Sequence, residues 1–290
     1  MTRHASMGPW LLGGAAVGVL ALAATPTGQA AVRRVERTVS DWTRNVVRLV
    51  SAREGRPDSL NRNLDGVGLS YGVIQWTQRS GNLGKLLGAM HEADPAAFAR
   101  IFGPSWPRLL DVTRRGSLEP VDGAVLWAEP WASRFVAAGR HPPFIEVQCA
   151  MAAQGEHFRG AERVAALLGV RTERAMALFF DRSVQQGPGA AFRLAERLLA
   201  SYAAAGRRSV PYAQVLVDYA ALAAARFRRT TPPPSPEFTP GSTRIVWKQV
   251  GSEWHAVTGP FDLYAVIVKR TDAILRDPSL SDAPIPAAVA

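Results

Sequence analysis

The sequence predicts a mainly α-helical fold that ends in a small C-terminal β-hairpin. Three observations lead there. Apolar residues recur three or four apart through most of the span from Ala31 to Arg229. Short Gly, Pro and polar clusters separate those stretches. Past a proline-dense segment, Thr230 to Pro240, the pattern turns to β-favouring runs.

Ala31 to Val50 carries Val32, Val35, Val39, Trp42, Val46, Val47 and Val50 on one helical stripe, with Trp42 read as core. The next helices are expected over Asn82 to Met90 and Pro95 to Phe102. Pro104 and Pro107 then bound a turn around Trp106. Trp127, Trp131 and Phe135 stand four apart and predict one helix with a core stripe; the alternative is a ring that stacks on a sugar. Further helices are expected over Glu156 to Leu168, Thr172 to Gln185, Ala190 to Ala205 and Tyr212 to Arg229, with Gly187-Pro188-Gly189 as a breaker. Ile245 to Val250 and Leu263 to Val268 are the two β-favouring runs, which could pair as a hairpin. The predicted organisation is an export segment over 1–30, a main helical domain over 31–229, a Pro-rich loop or linker over 230–241 and a small β extension with a flexible tail over 242–290.

The chain has 290 residues, 47% of them hydrophobic, which is enough for a substantial core. The N-terminus reads as an export signal. Arg3 and His4 precede an uncharged apolar run from Pro9 to Ala24, and Gly28-Gln29-Ala30 supplies small residues for cleavage. The alternative is an uncleaved membrane anchor, although about 20 apolar residues are needed to span a bilayer. The formal charge of +10 suits an anionic polymer such as a bacterial wall, or simply a solvated surface. No zinc finger, helix-turn-helix or aromatic RNA motif is present, which argues against nucleic acid. Cys149 is alone and reads as a structural thiol. The five histidines, His4, His91, His141, His157 and His255, make no metal-ligand spacing, so neither a metal nor another cofactor is expected.

The chemistry concentrates between Glu54 and Trp76, EGRPDSLNRNLDGVGLSYGVIQW. Two carboxylates, Glu54 and Asp65, flank a polar, glycine-rich loop. A glycosidase needs one carboxyl that stays protonated for the leaving oxygen and one that stays ionised for water or carbon. The rival reading is an ordinary solvated loop.

Asp65-Gly66-Val67-Gly68-Leu69-Ser70-Tyr71-Gly72-Val73-Ile74 resembles the segment of family 46 chitosanases in which Asp-Gly-x-Gly precedes an aromatic, a Thr and a small apolar run. Trp76-Thr77-Gln78-Arg79-Ser80-Gly81-Asn82-Leu83 resembles that family's continuation. The resemblance implies Asp65 as general base, Ser70 as the hydroxyl that helps to place water, and the upstream Glu54 as general acid. Gln75-Trp76 stands where the family has Gly-Phe. Ser70 to Gln75 also resembles the Ser-x-Gly-Leu-Met-Gln signature of goose-type lysozymes and lytic transglycosylases. Ala177 to Gly187 resembles a helix of endolysin-like hydrolases in which a Gln and a Gly close the back of the cleft. Together these imply a lysozyme-like, two-lobed catalytic domain over 31–229.

The expected substrate-binding set is Asp58, Tyr71, Gln75, Trp76, Asp181 and Gln185, the last two across the cleft floor. The expected activity is secreted or periplasmic hydrolysis of β-1,4 links in an amino-sugar polysaccharide, by an inverting acid/base route. Peptidoglycan is the preferred substrate and chitosan the alternative. Lytic transglycosylation and a non-catalytic wall-binding role on the same scaffold stay open.

Overall fold

The computed structural model describes residues 41–52, 55–63, 66–238 and 244–285. The export segment expected over 1–30 lies outside them. Residues 1–42 with Ala290 form one unit, of which only 41 and 42 are described. Residues 43–289 form the other, and the account below is of that unit.

The fold is mainly α, as the periodicity predicts. Helical residues 43–52, α1, bury Val46, Val47 and Val50 completely. A three-stranded antiparallel sheet follows: β1 (Leu60–Arg62), β2 (Leu69–Tyr71) and β3 (Trp76–Thr77), with β2 in the middle. Asn61 and Thr77 both lie opposite Ser70.

Five helices come next: α2 (Asn82–Ala93), α3 (Pro95–Phe102), α4 (Trp106–Arg114), α5 (Trp131–Ala138) and α6 (Pro142–Gln154). Local chemistry starts several of them. The Asp94 carboxylate accepts from the Ala97 N–H at 2.9 Å and Pro95 follows, an N-cap and a first-turn proline in sequence. Pro107 also sits in a first turn, that of α4, where its missing N–H leaves no bond unmade. It therefore opens a helix rather than bounding a turn. Trp127 precedes α5 and is not on one helix with Trp131 and Phe135, so only the latter two share the expected stripe. Phe98, Phe102, Phe135, Phe144 and Tyr71 form a continuous aromatic core, with ring centroids 4.6–6.1 Å apart.

A second cluster comprises α7 (Glu156–Leu168), α8 (Glu173–Gln186), α9 (Pro188–Ala204), α10 (Tyr212–Ala225) and α11 (Leu263–Leu275). α8 is its axis. Every residue from Ala175 to Ser183 is buried, and α7, α9, α10 and α11 pack around it. Phe158 meets Phe180, and Phe179 meets Tyr219.

A second sheet borders this cluster. β4 (Arg228–Arg229), β7 (Glu253–Thr258), β6 (Ile245–Val250) and β5 (Glu237–Phe238) lie in that order, and β8 (Phe261–Asp262) pairs with β7. The hairpin expected from Ile245–Val250 forms, but its partner is Glu253–Thr258. Leu263 to Val268, expected as a strand, is the start of α11. The Asp262 carboxylate caps it by accepting from the Ala265 N–H at 3.0 Å, and Ile267, Thr271 and Ile274 are buried at helical spacing. Likewise the helix expected to reach Arg229 stops at Ala225, and Arg228–Arg229 becomes an edge strand. Among the described residues no helix is long and apolar enough to cross a membrane.

Candidate active site

Glu54 and Asp65 lie outside the described residues, as do Arg53 and Leu64 before them; Gly55 and Gly66, which follow them, are described. After α1 the Gly55 N–H donates to the Ser51 carbonyl at 2.8 Å. Gly55 then passes directly against the β2–β3 turn. A Cβ there would stand 2.6 Å from Gln75 Nε2 and 2.8 Å from the Gly72 carbonyl oxygen, so no larger residue fits. Gln75 holds that turn by donating from Nε2 to the same carbonyl at 2.9 Å.

The β1–β2 loop, which contains position 65, is fastened at both feet. The Gly68 N–H donates to Asn63 Oδ1 at 2.8 Å, and Arg79 Nε donates to the Gly66 carbonyl at 3.1 Å. Gly68 has φ +79°, and a Cβ there would meet Leu118 at 2.5 Å and Gln78 at 2.7 Å. Gln78 is fully buried. It accepts from the Leu69 N–H through Oε1 and donates through Nε2 to the Ser117 carbonyl, so β2 is tied to the segment after α4.

A second glutamine, Gln148 of α6, ties the other side. Its Oε1 accepts from the Val73 N–H at 3.0 Å, and its Nε2 donates to the Pro57 carbonyl at 3.0 Å. Gln148 is fully buried, so both bonds are made away from water. Gly139 lets α5 approach the same segment: a Cβ there would lie 2.3 Å from the Pro57 carbonyl oxygen and 2.4 Å from Asp58 Cα. None of Asn63, Gln78, Arg140, Gly139 or Gln148 is singled out by sequence reasoning. The only local hint is a Gln in the apolar run Phe144 to Met151.

The expected binding residues divide sharply. Asp58 is largely covered and held by Arg56 at 3.3 Å and Arg140 at 3.1 Å, so its carboxylate is already paired. Gln75 is half-buried at the Gly55 contact. Ser70 is 3% exposed on the central strand. Trp76 is 8% exposed and packs over Gly72. Tyr71 corrects an expectation: it has no accessible surface, its ring packs edge-on against Phe135, and its hydroxyl faces Gln148. Burial, and then the charge of Asp58, push its pKa far up, so it stands as a neutral phenol of the core.

Asp181 is a second correction. It too is fully buried, and its carboxylate is shared between Arg182, its neighbour on α8, and Arg270 of α11. Burial pushes its pKa up, but the two guanidinium charges and their hydrogen bonds outweigh that and hold it below the usual range. An Asp locked between two arginines inside the helical cluster has no surface for a sugar. Gln185, one turn on, is exposed at the end of α8. The two do not line a common cleft floor.

Cys149 is partly buried, and burial pushes its thiol up, away from the thiolate a nucleophile needs. Among the described residues no group of three or more His, Cys, Asp or Glu side chains is placed to hold a metal ion.

No protein-family model matches the chain, and no curated protein matches it. Solved structures do. The likeness is to chitosanases. Native chitosanase from Bacillus subtilis MY002 superposes with a TM-score of 0.45 at 14% identity, over 64% of this chain and 76% of that one. A mutant of the same chitosanase complexed with 6 GlcN gives 0.45 at 15%, over the same shares. A third structure, a chitosanase complex, gives 0.42 at 15%, over 70% and 80%.

Proposed function

We propose that this protein is a glycoside hydrolase that cuts β-1,4 links in an amino-sugar polymer. Glu54 is the general acid, Asp65 the general base and Ser70 the hydroxyl that helps to place the attacking water. One observation carries the reading. Gly55, next to Glu54, lies against the Gly72 carbonyl just past one end of β2, and the carbonyl of Gly66, next to Asp65, accepts from Arg79 near the other end. Segments that approach the two ends of one short strand can set two carboxyls on either side of a groove, and an inverting enzyme needs them about 6.5–9.5 Å apart, with room for the water. Glu54 then protonates the leaving oxygen as the C–O bond breaks. Asp65 takes a proton from the water whose oxygen bonds to the anomeric carbon from the opposite face.

Chitosan is the substrate supported by the Asp65-Gly66-Val67-Gly68 motif. Peptidoglycan is a second reading with its own support: Arg56 and Arg140 neutralise Asp58, and Arg79 flanks the Asp65 loop, an environment that favours an anionic polymer over a polycation. Export through residues 1–30 goes with either reading.

The test is product analysis by mass spectrometry after incubation with chitosan and, separately, purified peptidoglycan. New reducing ends from either polymer are expected, and their source names the substrate. Asp65→Asn is expected to lower the rate roughly 10²–10⁴-fold. Glu54→Gln should abolish turnover while polymer binding survives. Intact polymers in both arms would sink the hydrolase reading, and a 1,6-anhydro end would move it to transglycosylation.

A further inference from the structure

A cavity of about 440 Å³ opens among the ends of α8, α9 and α10, away from the β1–β3 sheet. Arg193 and Arg197, one turn apart on α9, and Arg226, just past α10, line it. No carboxylate lines it, and among the described residues none pairs with any of the three. Three guanidinium groups around one cavity repel one another unless an anion lies between them.

Two neighbours add to the positive character. Gln186 at the end of α8 accepts from Arg226 through Oε1 at 3.3 Å, while its Nε2 is buried with no hydrogen-bond partner. A buried donor without an acceptor is costly, so an oxygen offered to it from the cavity would be held favourably. Ala190, in the first turn of α9, also lines the cavity, and the N-cap of that helix, Gly187, supplies no side-chain acceptor to its open N–H groups. Partial burial, and then the charges of Arg197 and Arg193, press Arg226 below the usual arginine value. That is the direction an anion would reverse.

We infer that this cavity is an anion-binding site for a phosphate-type oxyanion, held by Arg193, Arg197 and Arg226 with Gln186 Nε2 as a neutral donor. Phosphate suits the set because guanidinium groups bind its oxygens bidentately and the site offers donors from several directions. The group comes from a free phosphate or from a phosphate-bearing polymer. The site is independent of the proposed glycosidase chemistry.

The experiment is thermal unfolding of the full chain in sodium phosphate, sodium acetate and sodium chloride at matched ionic strength, and in polyphosphate. Phosphate is expected to raise Tm by about 5 °C at roughly 100-fold excess over its dissociation constant. The double variant Arg193→Ala/Arg197→Ala should lose that rise. Both side chains are exposed, so the fold is kept. A control that removes two charges elsewhere, Arg159→Ala/Arg163→Ala on exposed positions of α7, should retain it. A larger rise with polyphosphate at equal phosphorus supports the site with a polymer as its source, and an equal or smaller one supports it with the free ion. No phosphate-specific rise, an equal rise in the double variant, or an equal rise with acetate overturns the assignment.

Discussion

Gln148 Oε1 accepts the Val73 backbone N–H at 3.0 Å, a bond between α6 and the β2–β3 turn across 75 positions of chain. The same side chain holds Pro57 from its Nε2. One buried amide thus joins the stretch just after Glu54 to the turn that Gly55 leans on. Gln148→Leu keeps the volume but leaves the Val73 N–H and the Pro57 carbonyl without it. The expected loss of stability is about 2–4 kcal/mol in urea unfolding. Hydrolysis by the fraction still folded is expected to drop roughly 10²-fold, because the segment that follows the proposed acid, Glu54, is no longer held in place. Wild-type turnover in a folded variant would show that this latch does not position the site.

Gly84 on α2 faces the backbone of α4. An added Cβ would lie 2.4 Å from the Arg114 nitrogen and 2.5 Å from the Thr113 carbonyl carbon, neither of which can rotate away. Gly84→Ala should therefore destabilise by about 1–3 kcal/mol, despite the better helix propensity of Ala. Thermal unfolding checks the sign; a stabilised variant would mean that α2 and α4 are not so closely apposed.

Asp181 is expected to show in the acid limb of stability. Its folded-state pKa is depressed, so its contribution is present above the unfolded carboxyl value of about 3.9 and is lost as pH falls through the lower folded value. Asp181→Asn removes the charged carboxylate that Arg182 and Arg270 share, at an expected cost of about 3–5 kcal/mol at pH 7. The gap between wild type and variant should narrow below about pH 3.9. A gap of constant size from pH 7 to pH 2 contradicts the ion-pair account.

Arg174 gathers the C-terminal segment. Its guanidinium donates to the carbonyls of Ile274, Leu275, Asp277 and Leu280 at 2.8–3.1 Å and pairs with Asp282 at 2.7 Å. A Lys cannot make this fan of bonds from one nitrogen. Arg174→Lys should cost about 2 kcal/mol and speed amide exchange selectively over residues 274–285. Uniform exchange along the chain would argue against a local clasp.

Where the sequence carried its own boundary chemistry, the elements were legible. Pro95–Phe102 and Glu156–Leu168 appear with the expected bounds, because Asp94-Pro95 starts the first and Gly169 in the left-handed region stops the second. Leu263 to Val268 misleads because β-branched residues crowd it; the cap from Asp262 and burial against neighbouring helices decide in favour of helix. The turns at Gly66, Gly68 and Gly72 were legible from the glycines, each of which has a positive φ. What surrounds them was not. Tyr71 and Asp181 are polar enough to suggest substrate contacts, and only the packing shows that both face inward. Gln148 of α6 and Arg140 of the α5–α6 turn reach the 57–58 segment from parts of the chain that no local pattern links to it.

Arg270 meets Asp181 from 89 positions further along the chain, and that separation sets an order of events. On a ribosome, α8 emerges complete while the oxygen that Arg270 will hold has yet to meet it. The helical cluster stays unfinished through α9, α10 and the whole second sheet, until Leu263–Leu275 arrives. A chain stopped within that interval is not a smaller version of this protein but one with an open, charged wound in its centre. Its last described helix is the closing piece.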